Sequence, residues 1–336
     1  IRNLKNTFER AKPYFSETGF KTKFLYIRRS FLRRFLTGVP LQLWVGVTHR
    51  CQCNCTHCLL GSQLNKAKDE LSKDEIFKLV RLSRNLGVMD IVYFGGEPLI
   101  REDIVELVRY SSSKGLRTSV FTNGILLTKD KVSALKEAGL NLCNVSLDSV
   151  SPERHNSLRG YNRCFEEATE GIKNIIDAGI KCSIWTCVRK EDVGNDLKDL
   201  RGIVNVGRRM KVNQINVLFP MAMGNWLGGE QNMLTLQDRD KVRVLHEPPF
   251  VALEFPSEDS YCVGGKRLVY ITPQGDVSPC PSIPYFYGNI RKESLLNSLR
   301  KLYKGFVKQG SDFCGECVMN KEGFCEKIGF NRSEPP

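Results

Sequence analysis

Hydrophobic positions along the chain fall into short runs that alternate with longer amphipathic stretches. The apolar runs, each five to eight residues long, lie at 41–47, 90–94, 117–122, 142–147, 181–188 and 213–219. The stretches with helical periodicity lie at 72–86, 102–114, 129–138, 164–178 and about 195–209. Because several of these stretches end at a glycine, as helices commonly do, we expect each one to be a helix. This alternation predicts six parallel βαβ units, arranged as a partial barrel or as an open doubly wound sheet.

The chain from about residue 225 has a different pattern. A charged helical stretch lies near 234–247 and is followed by a predicted strand in VALEF at 251–255. Two cysteines then flank a predicted hairpin that turns at Pro273–Asp276, and a further helix is predicted around 294–307. The three parts that we expect are a basic segment at 1–40, a barrel at 41–224 and a smaller α+β domain at 225–336.

Four unusual sequence clusters follow the ends of consecutive predicted strands. They are CQCNCTHC at 51–58, GGEP at 95–98, TNG at 122–124 and SLDS at 146–149. Parallel barrels carry their functional groups on the loops that follow the carboxyl ends of the strands. The four clusters are therefore predicted to meet at one rim of the fold and to form its functional site.

Composition places the chain among folded proteins and limits what its cysteines can be. Hydrophobic residues make up 41% of the 336 residues and charged residues 26%, which excludes a disordered or collagen-like chain. No apolar run reaches the length of a membrane span and no signal peptide is recognisable, so we expect a cytoplasmic protein. In a reducing compartment, its 13 cysteines are expected to be metal ligands or buried apolar residues rather than disulfides.

The formal net charge of +13 is concentrated near the N-terminus. Residues 1–50 contain eleven Lys or Arg residues and two Glu residues, and a basic amphipathic helix is predicted over 24–35. Such a helix can pack its apolar stripe on the protein, associate peripherally with a membrane surface, or attract an acidic or lipid-associated substrate. Nucleic acid is not favoured as a partner because no known binding module or aromatic-basic pattern is present.

The cysteine spacing is compatible with two kinds of thiolate site. Pairs with C-x2-C spacing, Cys55/Cys58 and Cys314/Cys317, are typical of tetrahedral zinc. The three thiols of Cys51, Cys55 and Cys58 can instead ligate three irons of a [4Fe–4S] cluster and leave the fourth iron open to a substrate or cofactor. Residue chemistry alone leaves both alternatives open.

The C-x3-C-x2-C spacing of Cys51, Cys55 and Cys58, followed by GGEP, TNG and SLDS in that order, resembles the radical S-adenosylmethionine (SAM) superfamily. The resemblance extends over residues 41–220 and implies the α/β fold of that superfamily, a partial (β/α)6 TIM-like barrel. It also implies that these three cysteines ligate a [4Fe–4S] cluster whose open iron binds SAM. Cys53 is then the surplus thiol and a non-ligand.

The same resemblance implies where SAM would bind. The residues with an expected cofactor-binding role are Gly95, Gly96, Glu97, Pro98, Asn123, Ser146 and Asp148. Glu97 would accept hydrogen bonds from the amino group of SAM, and the two glycines would let the backbone approach the ligand. Asn123, Ser146 and Asp148 would contact its ribose or carboxylate, although each also fits a local turn or helix cap. His57 stands where the family often has an aromatic residue near adenine, or is a plain loop residue.

A second cysteine set resembles the SPASM/twitch type of C-terminal extension. The expected ligands of one auxiliary [4Fe–4S] cluster are Cys262, Cys280, Cys314 and Cys317, with Cys325 as an alternative. A full SPASM domain has seven or more cysteines, whereas five are present here, so two auxiliary clusters are not expected. Structural zinc is the competing interpretation of this second site.

The resemblance implies a radical enzyme that is served by a flavodoxin- or ferredoxin-type electron donor. Reductive cleavage of SAM would yield methionine and a 5′-deoxyadenosyl radical, which removes hydrogen from an organic, small-molecule substrate. The net reaction is open among dehydrogenation, epimerisation, decarboxylation and carbon–carbon bond formation. The auxiliary cluster would accept an electron from the substrate radical in an oxidation, and Cys187, at the end of the fifth strand, is a candidate hydrogen donor.

Two other functions stay open from the sequence. Many enzymes with related extensions modify peptides, although we expect no separate peptide-recognition domain in the stretch before the cysteines. A non-catalytic zinc or iron–sulfur protein would instead use its basic N-terminus to bind an acidic polymer. Iron content and colour separate this last alternative from the two enzymatic ones.

Overall fold

A nine-stranded sheet forms the centre of the fold in a computed structural model, which describes residues 38–66, 68–226, 229–254, 262–308 and 317. The strands are β1 (Gln42–Thr48), β2 (Asp90–Gly95), β3 (Arg117–Thr122), β4 (Leu142–Ser146), β5 (Lys181–Cys187), β6 (Gln214–Leu218), β7 (Val251–Glu254), β8 (Leu268–Ile271) and β9 (Val277–Ser278). Their order in the sheet is β7-β6-β5-β4-β3-β2-β1-β8-β9. Neighbours from β7 to β8 are parallel, and β9 pairs antiparallel with β8. The predicted basic helix at 24–35 lies outside the described residues.

Helices connect the strands and pack against one face of the sheet. They are α1 (Lys73–Leu86), α2 (Ile104–Ser113), α3 (Lys129–Glu137), α4 (Pro152–Arg159), α5 (Cys164–Asp177), α6 (Lys190–Gly194), α7 (Lys198–Met210), α8 (Leu236–Arg243) and α9 (Leu295–Leu302), which continues as a π-helical stretch at Tyr303–Val307. Among the described residues, no helix combines the length and apolarity that a membrane crossing requires. The strands and helices predicted for the barrel are confirmed to within a few residues, and α4 and α6 are additional.

Helix α1 shows how local sequence sets the ends of these elements. The Ser72 hydroxyl accepts a hydrogen bond from the Glu75 backbone N–H at 3.3 Å, and the Glu75 carboxylate accepts one from the Ser72 N–H at 2.8 Å. This reciprocal pair satisfies two backbone donors that the first turn leaves free. Gly87 ends the helix with a φ of 95°, a conformation that favours glycine.

Side chains on the strands alternate between two faces of the sheet. Leu43, Val45 and Val47 of β1 are fully buried in the core between the sheet and the helices. Trp44 points to the opposite face, which we call the inner face, where its ring centroid lies 4.8 Å from that of Phe121. One face therefore supplies the hydrophobic core, and the other is available for binding.

The sheet continues past the predicted boundary near residue 225. Strand β7 pairs with β6, and β8 pairs with β1 through Gln42↔Leu268 to Val45↔Ile271. The predicted hairpin at Pro273–Asp276 is confirmed by the antiparallel pairing of β8 with β9. An open β1 edge would expose unpaired backbone groups, and β8 satisfies them. The limits of the three parts stay a prediction, but both sides of residue 225 contribute to one sheet.

Tyr93 joins β2 to α2 and gives a test of this packing. Its side chain is fully buried, and its hydroxyl lies 2.7 Å from both the Leu107 carbonyl oxygen and Ser111 Oγ. Tyr93→Phe leaves these groups without that partner in a dry core, so the free energy of unfolding is expected to fall by about 1–2 kcal/mol. Urea denaturation measures the change, with Tyr110→Phe on the same helix as the control. Equal losses in the two variants would contradict this explanation.

Candidate functional site

The predicted convergence of the four sequence clusters is confirmed at one rim of the sheet. Residues 49–61, which we call the cysteine loop, follow β1 and lie beside the segments that follow β2, β3 and β4. The Gly96 N–H donates to the Thr48 carbonyl oxygen at 2.7 Å, and the Glu97 N–H donates to the Arg50 carbonyl oxygen at 2.8 Å. From the third segment, Asn123 Nδ2 lies 3.4 Å from Cys53 Sγ.

Glycines are required where GGEP meets the cysteine loop. Gly95 has a φ of 143°, and a Cβ atom there would lie 2.3 Å from the Thr48 carbonyl oxygen. A Cβ atom at Gly96 would lie equally close, 2.3 Å, to the Arg50 carbonyl oxygen. We expected the two glycines to let the backbone approach a bound ligand. In the structure they also let it approach the backbone of residues 48–50 closely.

Glu97 is fully buried and ties the end of β2 to the end of β3. Its carboxylate accepts hydrogen bonds from the Leu99 N–H at 3.0 Å, the Thr122 hydroxyl at 2.9 Å and the Asn123 N–H at 2.8 Å. Burial raises the pKa of Glu97 to about 7, against the opposite effect of these three donors. Since a carboxylate has about four acceptor positions, one remains for the predicted bond to a ligand amino group.

The four thiols of the cysteine loop differ in exposure. Cys51, Cys55 and Cys58 are half-buried, whereas Cys53 is 1% exposed. Hydrogen bonds with the thiols of Cys164, Cys51 and Cys55 raise the pKa of Cys53, and the bond from Cys53 lowers the pKa of Cys55 to about 6. This arrangement supports the prediction that Cys53 is the thiol that does not ligate a metal.

The thiol set fits an iron–sulfur cluster by the chemistry of its surroundings. In the side-chain positions seen among the described residues, no three Cys, His, Asp or Glu side chains already converge as a metal site. Nitrogen donors nevertheless approach the sulfurs: the Cys53 N–H lies 3.4 Å from Cys51 Sγ, and Arg159 Nη1 lies 3.7 Å from Cys55 Sγ. N–H donors of this kind surround the sulfurs of cluster-ligating thiolates.

Asp148 is the centre of a buried polar network behind the loop. Its side chain is 1% exposed, and Oδ2 lies 2.6 Å from Arg159 Nη2 and 3.4 Å from His57 Nε2. Oδ1 accepts a hydrogen bond from the Cys187 N–H at 3.0 Å. Burial raises the pKa of Asp148, but the Arg159 guanidinium and the other nearby cationic groups outweigh it and hold that pKa well below its usual range. The carboxylate is therefore largely committed to protein partners.

His57, Ser146 and Cys187 occupy different parts of the same rim. Burial lowers the pKa of His57 to about 4, so its ring is neutral near pH 7, and the ring centroid lies 5.8 Å from that of Trp226. Ser146 is half-buried at the carboxyl end of β4. Cys187 is buried at the end of β5, where its thiol contacts the Val188 carbonyl oxygen at 3.6 Å. The predicted roles of these residues stay predictions.

Two segments that hold the cysteine loop were not predicted from the sequence. At the end of α4, the Arg159 carbonyl oxygen accepts a hydrogen bond from the Asn54 N–H at 2.9 Å. After β6, Asn225 donates from its backbone N–H to the Cys58 carbonyl oxygen at 3.0 Å and from its side chain to the Cys55 carbonyl oxygen at 2.7 Å. Position after the carboxyl end of the sixth strand is the signal that would have found Asn225.

The second cysteine set adjoins the first site. A Cβ atom on Gly264 would lie 3.5 Å from Cys262 Sγ and 3.6 Å from Cys280 Cβ, so both cysteines line one small region. Cys280 and Cys317 pack against a small cluster of Met223, Ile283 and Phe306, and Leu59, the residue after Cys58, packs against the same cluster. The predicted ligands Cys314 and Cys325 lie outside the described residues.

Aromatic rings line the inner face below the rim. They belong to Trp44, Phe94, Phe121, Trp185 and Tyr270. The ring centroids of Phe121 and Trp185 lie 4.7 Å apart, and Trp44, Phe94, Phe121 and Trp185 each keep part of their surface accessible although they stand on inner strands of the sheet. The Tyr270 hydroxyl is buried without a hydrogen-bond partner among the described residues. The accessible parts of the other four rings can therefore contact an apolar group.

Glu97→Gln tests the role of the buried carboxylate in holding the rim together. The carboxylate of Glu97 now accepts three hydrogen bonds, and the amide of Gln would place its NH2 group against at least one of the three donors. The free energy of unfolding is therefore expected to fall by about 1–3 kcal/mol. Chemical denaturation checks this loss, with Glu102→Gln at an exposed position as the control. A Glu97→Gln protein as stable as the control would show that the three hydrogen bonds contribute little.

Comparisons with known proteins match both cysteine regions. A family model for the radical SAM superfamily matches residues 45–200, and one for an iron–sulfur cluster-binding domain, SPASM, matches residues 262–318. The chain is 27% identical over 309 residues to the PqqA peptide cyclase of Rhizobium meliloti (strain 1021), across 85% of this chain and 81% of that protein. It is 24% identical over 324 residues to the AdoMet-dependent heme synthase of Nitratidesulfovibrio vulgaris, across 85% and 87%.

A solved structure shares the fold. Streptococcus suis SuiB superposes with a TM-score of 0.67 at 18% identity, over 89% of this chain and 77% of that one. SuiB has also been solved with bound S-adenosylmethionine and with its precursor peptide SuiA. The likeness extends through the barrel and into the C-terminal part, and it concerns the fold.

Proposed function

The chain belongs to the radical SAM superfamily and carries an iron–sulfur cluster-binding SPASM domain, and from this premise we propose that it abstracts hydrogen from an organic substrate held at the inner face of the sheet. Its cofactors are SAM and [4Fe–4S] clusters, which together supply a 5′-deoxyadenosyl radical when bound. The observation that carries the proposal is the position of the cysteine loop, with its three half-buried thiols, beside the segment of the buried Glu97 at one rim.

The residues of the rim have separate tasks in this proposal. Cys51, Cys55 and Cys58 would ligate the cluster, and Glu97 would orient the amino group of SAM through its remaining acceptor position. Asn123 and Asp148 are buried, so they would hold the loop without competing water. Such a closed arrangement keeps a reactive radical away from solvent.

The substrate would lie on the aromatic inner face, directly below the cofactor site. Trp185 donates its indole N–H to Asn144 Oδ1 and Ser183 Oγ, both at 3.0 Å, which fixes the orientation of its half-buried ring. Phe121 packs against the same ring. Rigid aromatic walls position a reacting carbon well because they lose little freedom on binding.

An oxidative tailoring reaction in a biosynthetic pathway is the net chemistry that we favour. Cys280 and Cys317 pack against the same small apolar cluster as Leu59 of the first cysteine loop, a placement that suits electron transfer from a substrate radical to an auxiliary cluster. A flavodoxin- or ferredoxin-type protein would provide the low-potential electron. Cys187 would serve as hydrogen donor in the alternative, a redox-neutral epimerisation.

A peptide is the second candidate substrate. The similarity to the PqqA peptide cyclase across 85% of this chain favours it, because that relative is named for action on a peptide. The AdoMet-dependent heme synthase has comparable similarity, and its name indicates a small-molecule product. Both candidates use the same radical chemistry. They differ in the size and kind of substrate that the inner face must bind.

Cysteine variants test the proposed reaction directly. Replacing Cys51, Cys55 and Cys58 together by Ala is expected to abolish formation of 5′-deoxyadenosine from SAM under dithionite, because no thiolate remains for the first cluster. Cys53→Ala is the matched control and is expected to retain most of this activity, because Cys53 is the buried thiol of the loop. Chromatography measures the 5′-deoxyadenosine that each protein forms. Equal loss in both proteins would refute the assignment of ligands.

Metal content tests the auxiliary site and the non-catalytic alternative. Anaerobically purified protein is expected to be brown and to contain about eight irons per chain, the content of two [4Fe–4S] clusters. Cys262→Ala combined with Cys280→Ala is expected to lower this to about four irons while the SAM-responsive cluster stays. A colourless protein with about two zinc ions would favour a structural metal protein instead.

A further inference from the structure

Arg159 is a buried cation that the proposed reaction leaves without a task. It stands at the end of α4 with 8% of its surface exposed, outside all four sequence clusters of the rim. Its guanidinium lies between the loop thiol of Cys55 and the carboxylate of Asp148. The positive charge therefore lies beside a thiol that is predicted to ligate the cluster.

We propose that Arg159 raises the reduction potential of the cluster ligated by Cys51, Cys55 and Cys58, by donating a hydrogen bond to the sulfur of Cys55. The inference rests on the proposed function, since it takes these three thiols to be the ligands. Arg159 acts here as a positioning residue that works through Cys55, and it needs no contact with substrate.

One terminal nitrogen of the guanidinium faces each partner. Nη1 lies 3.7 Å from Cys55 Sγ, and Nη2 lies 2.6 Å from Asp148 Oδ2. Asp148 is itself held by the Cys187 N–H, so it is a fixed anchor. The planar fork of arginine can serve both partners at once, whereas a lysine ammonium at the same position cannot match that geometry.

The backbone fixes Arg159 relative to the loop as well. The Arg159 carbonyl oxygen accepts from the Asn54 N–H at 2.9 Å, and the preceding Leu158 carbonyl oxygen accepts from the Thr56 N–H at 2.9 Å. The next residue, Gly160, has a φ of 60°, and a Cβ atom there would lie 2.6 Å from the Asn54 carbonyl oxygen. The end of α4 and the cysteine loop therefore form one unit, and the guanidinium keeps its place beside Cys55.

Electrostatics sets the direction of the effect. Reduction adds one electron, delivered by the donor protein, to the cluster, and arginine stays protonated throughout, so no proton accompanies the electron. A fixed positive charge and an N–H donor at a ligating sulfur stabilise the more negative, reduced cluster. The negative Asp148 opposes this effect from the far side of the guanidinium, at a greater distance from the sulfur. The net result is a cluster that is easier to reduce.

Redox titration of the anaerobic holoenzyme tests the proposal. The signal of the first cluster is identified in the electron paramagnetic resonance spectrum as the one that added SAM perturbs, and its midpoint is then measured without SAM. Arg159→Met is expected to make reduction about tenfold less favourable, a shift of about 59 mV to more negative potential for one electron. Arg163→Met removes the same charge from a 74% exposed position and is expected to leave the midpoint unchanged.

Arg159→Lys keeps the proposal testable if Arg159→Met fails to hold its cluster. The lysine keeps the charge but loses the two-sided fork, so a smaller shift in the same direction is expected. A wild-type midpoint in either variant with full iron content would overturn the role of Arg159. Absence of any SAM-perturbed signal in the wild-type protein would instead contradict the proposed function, so the two failures are distinguishable.

Discussion

Backbone hydrogen bonds around the cysteine loop are the constraint on which the rest of the site depends. The loop donates or accepts bonds at Arg50, Asn54 and Cys58, and these tie it to the segments after β2, α4 and β6. These bonds fix the backbone between the three thiols that are predicted to ligate the cluster. Gly96 has a related task, since any side chain there would separate the first two segments.

The fold was largely predictable because its signal is local and repeated. Each of the first five strands is an apolar run followed by a stretch of clear helical periodicity, and parallel pairing in sequence order follows from that alternation. The pairing of β8 with β1 was not predictable, because it joins Leu268 to Gln42 and no local pattern encodes a partner so distant. Helix α4 was missed for another reason: it buries the polar His155 and Arg159 in place of an aliphatic stripe.

The cysteines of the site were predictable because their spacing in the sequence indicates their chemistry. Side chains that act through buried contacts were less predictable. The spacing of Cys51, Cys55 and Cys58 singles out Cys53, and the exposures of the four thiols agree with that choice. The sequence could not show that the carboxylate of Asp148 is engaged by Arg159, because the two residues meet only through the packing of α4. Charged groups that pair inside a protein leave no periodic trace in its sequence.

The rim and the inner face, where we propose that cofactor and substrate bind, differ in chemical character. The rim is polar and locked: its thiols, carboxylates and Arg159 have partners whose loss would disturb the whole loop. The inner face is built from side chains such as Trp44 and Phe121, which project from strands whose backbone pairing does not depend on their identity. Under the proposed function, substitution there would change what is bound while the rim stays intact. Membership of the superfamily would then determine the chemistry, and the aromatic inner face would determine the molecule on which it acts.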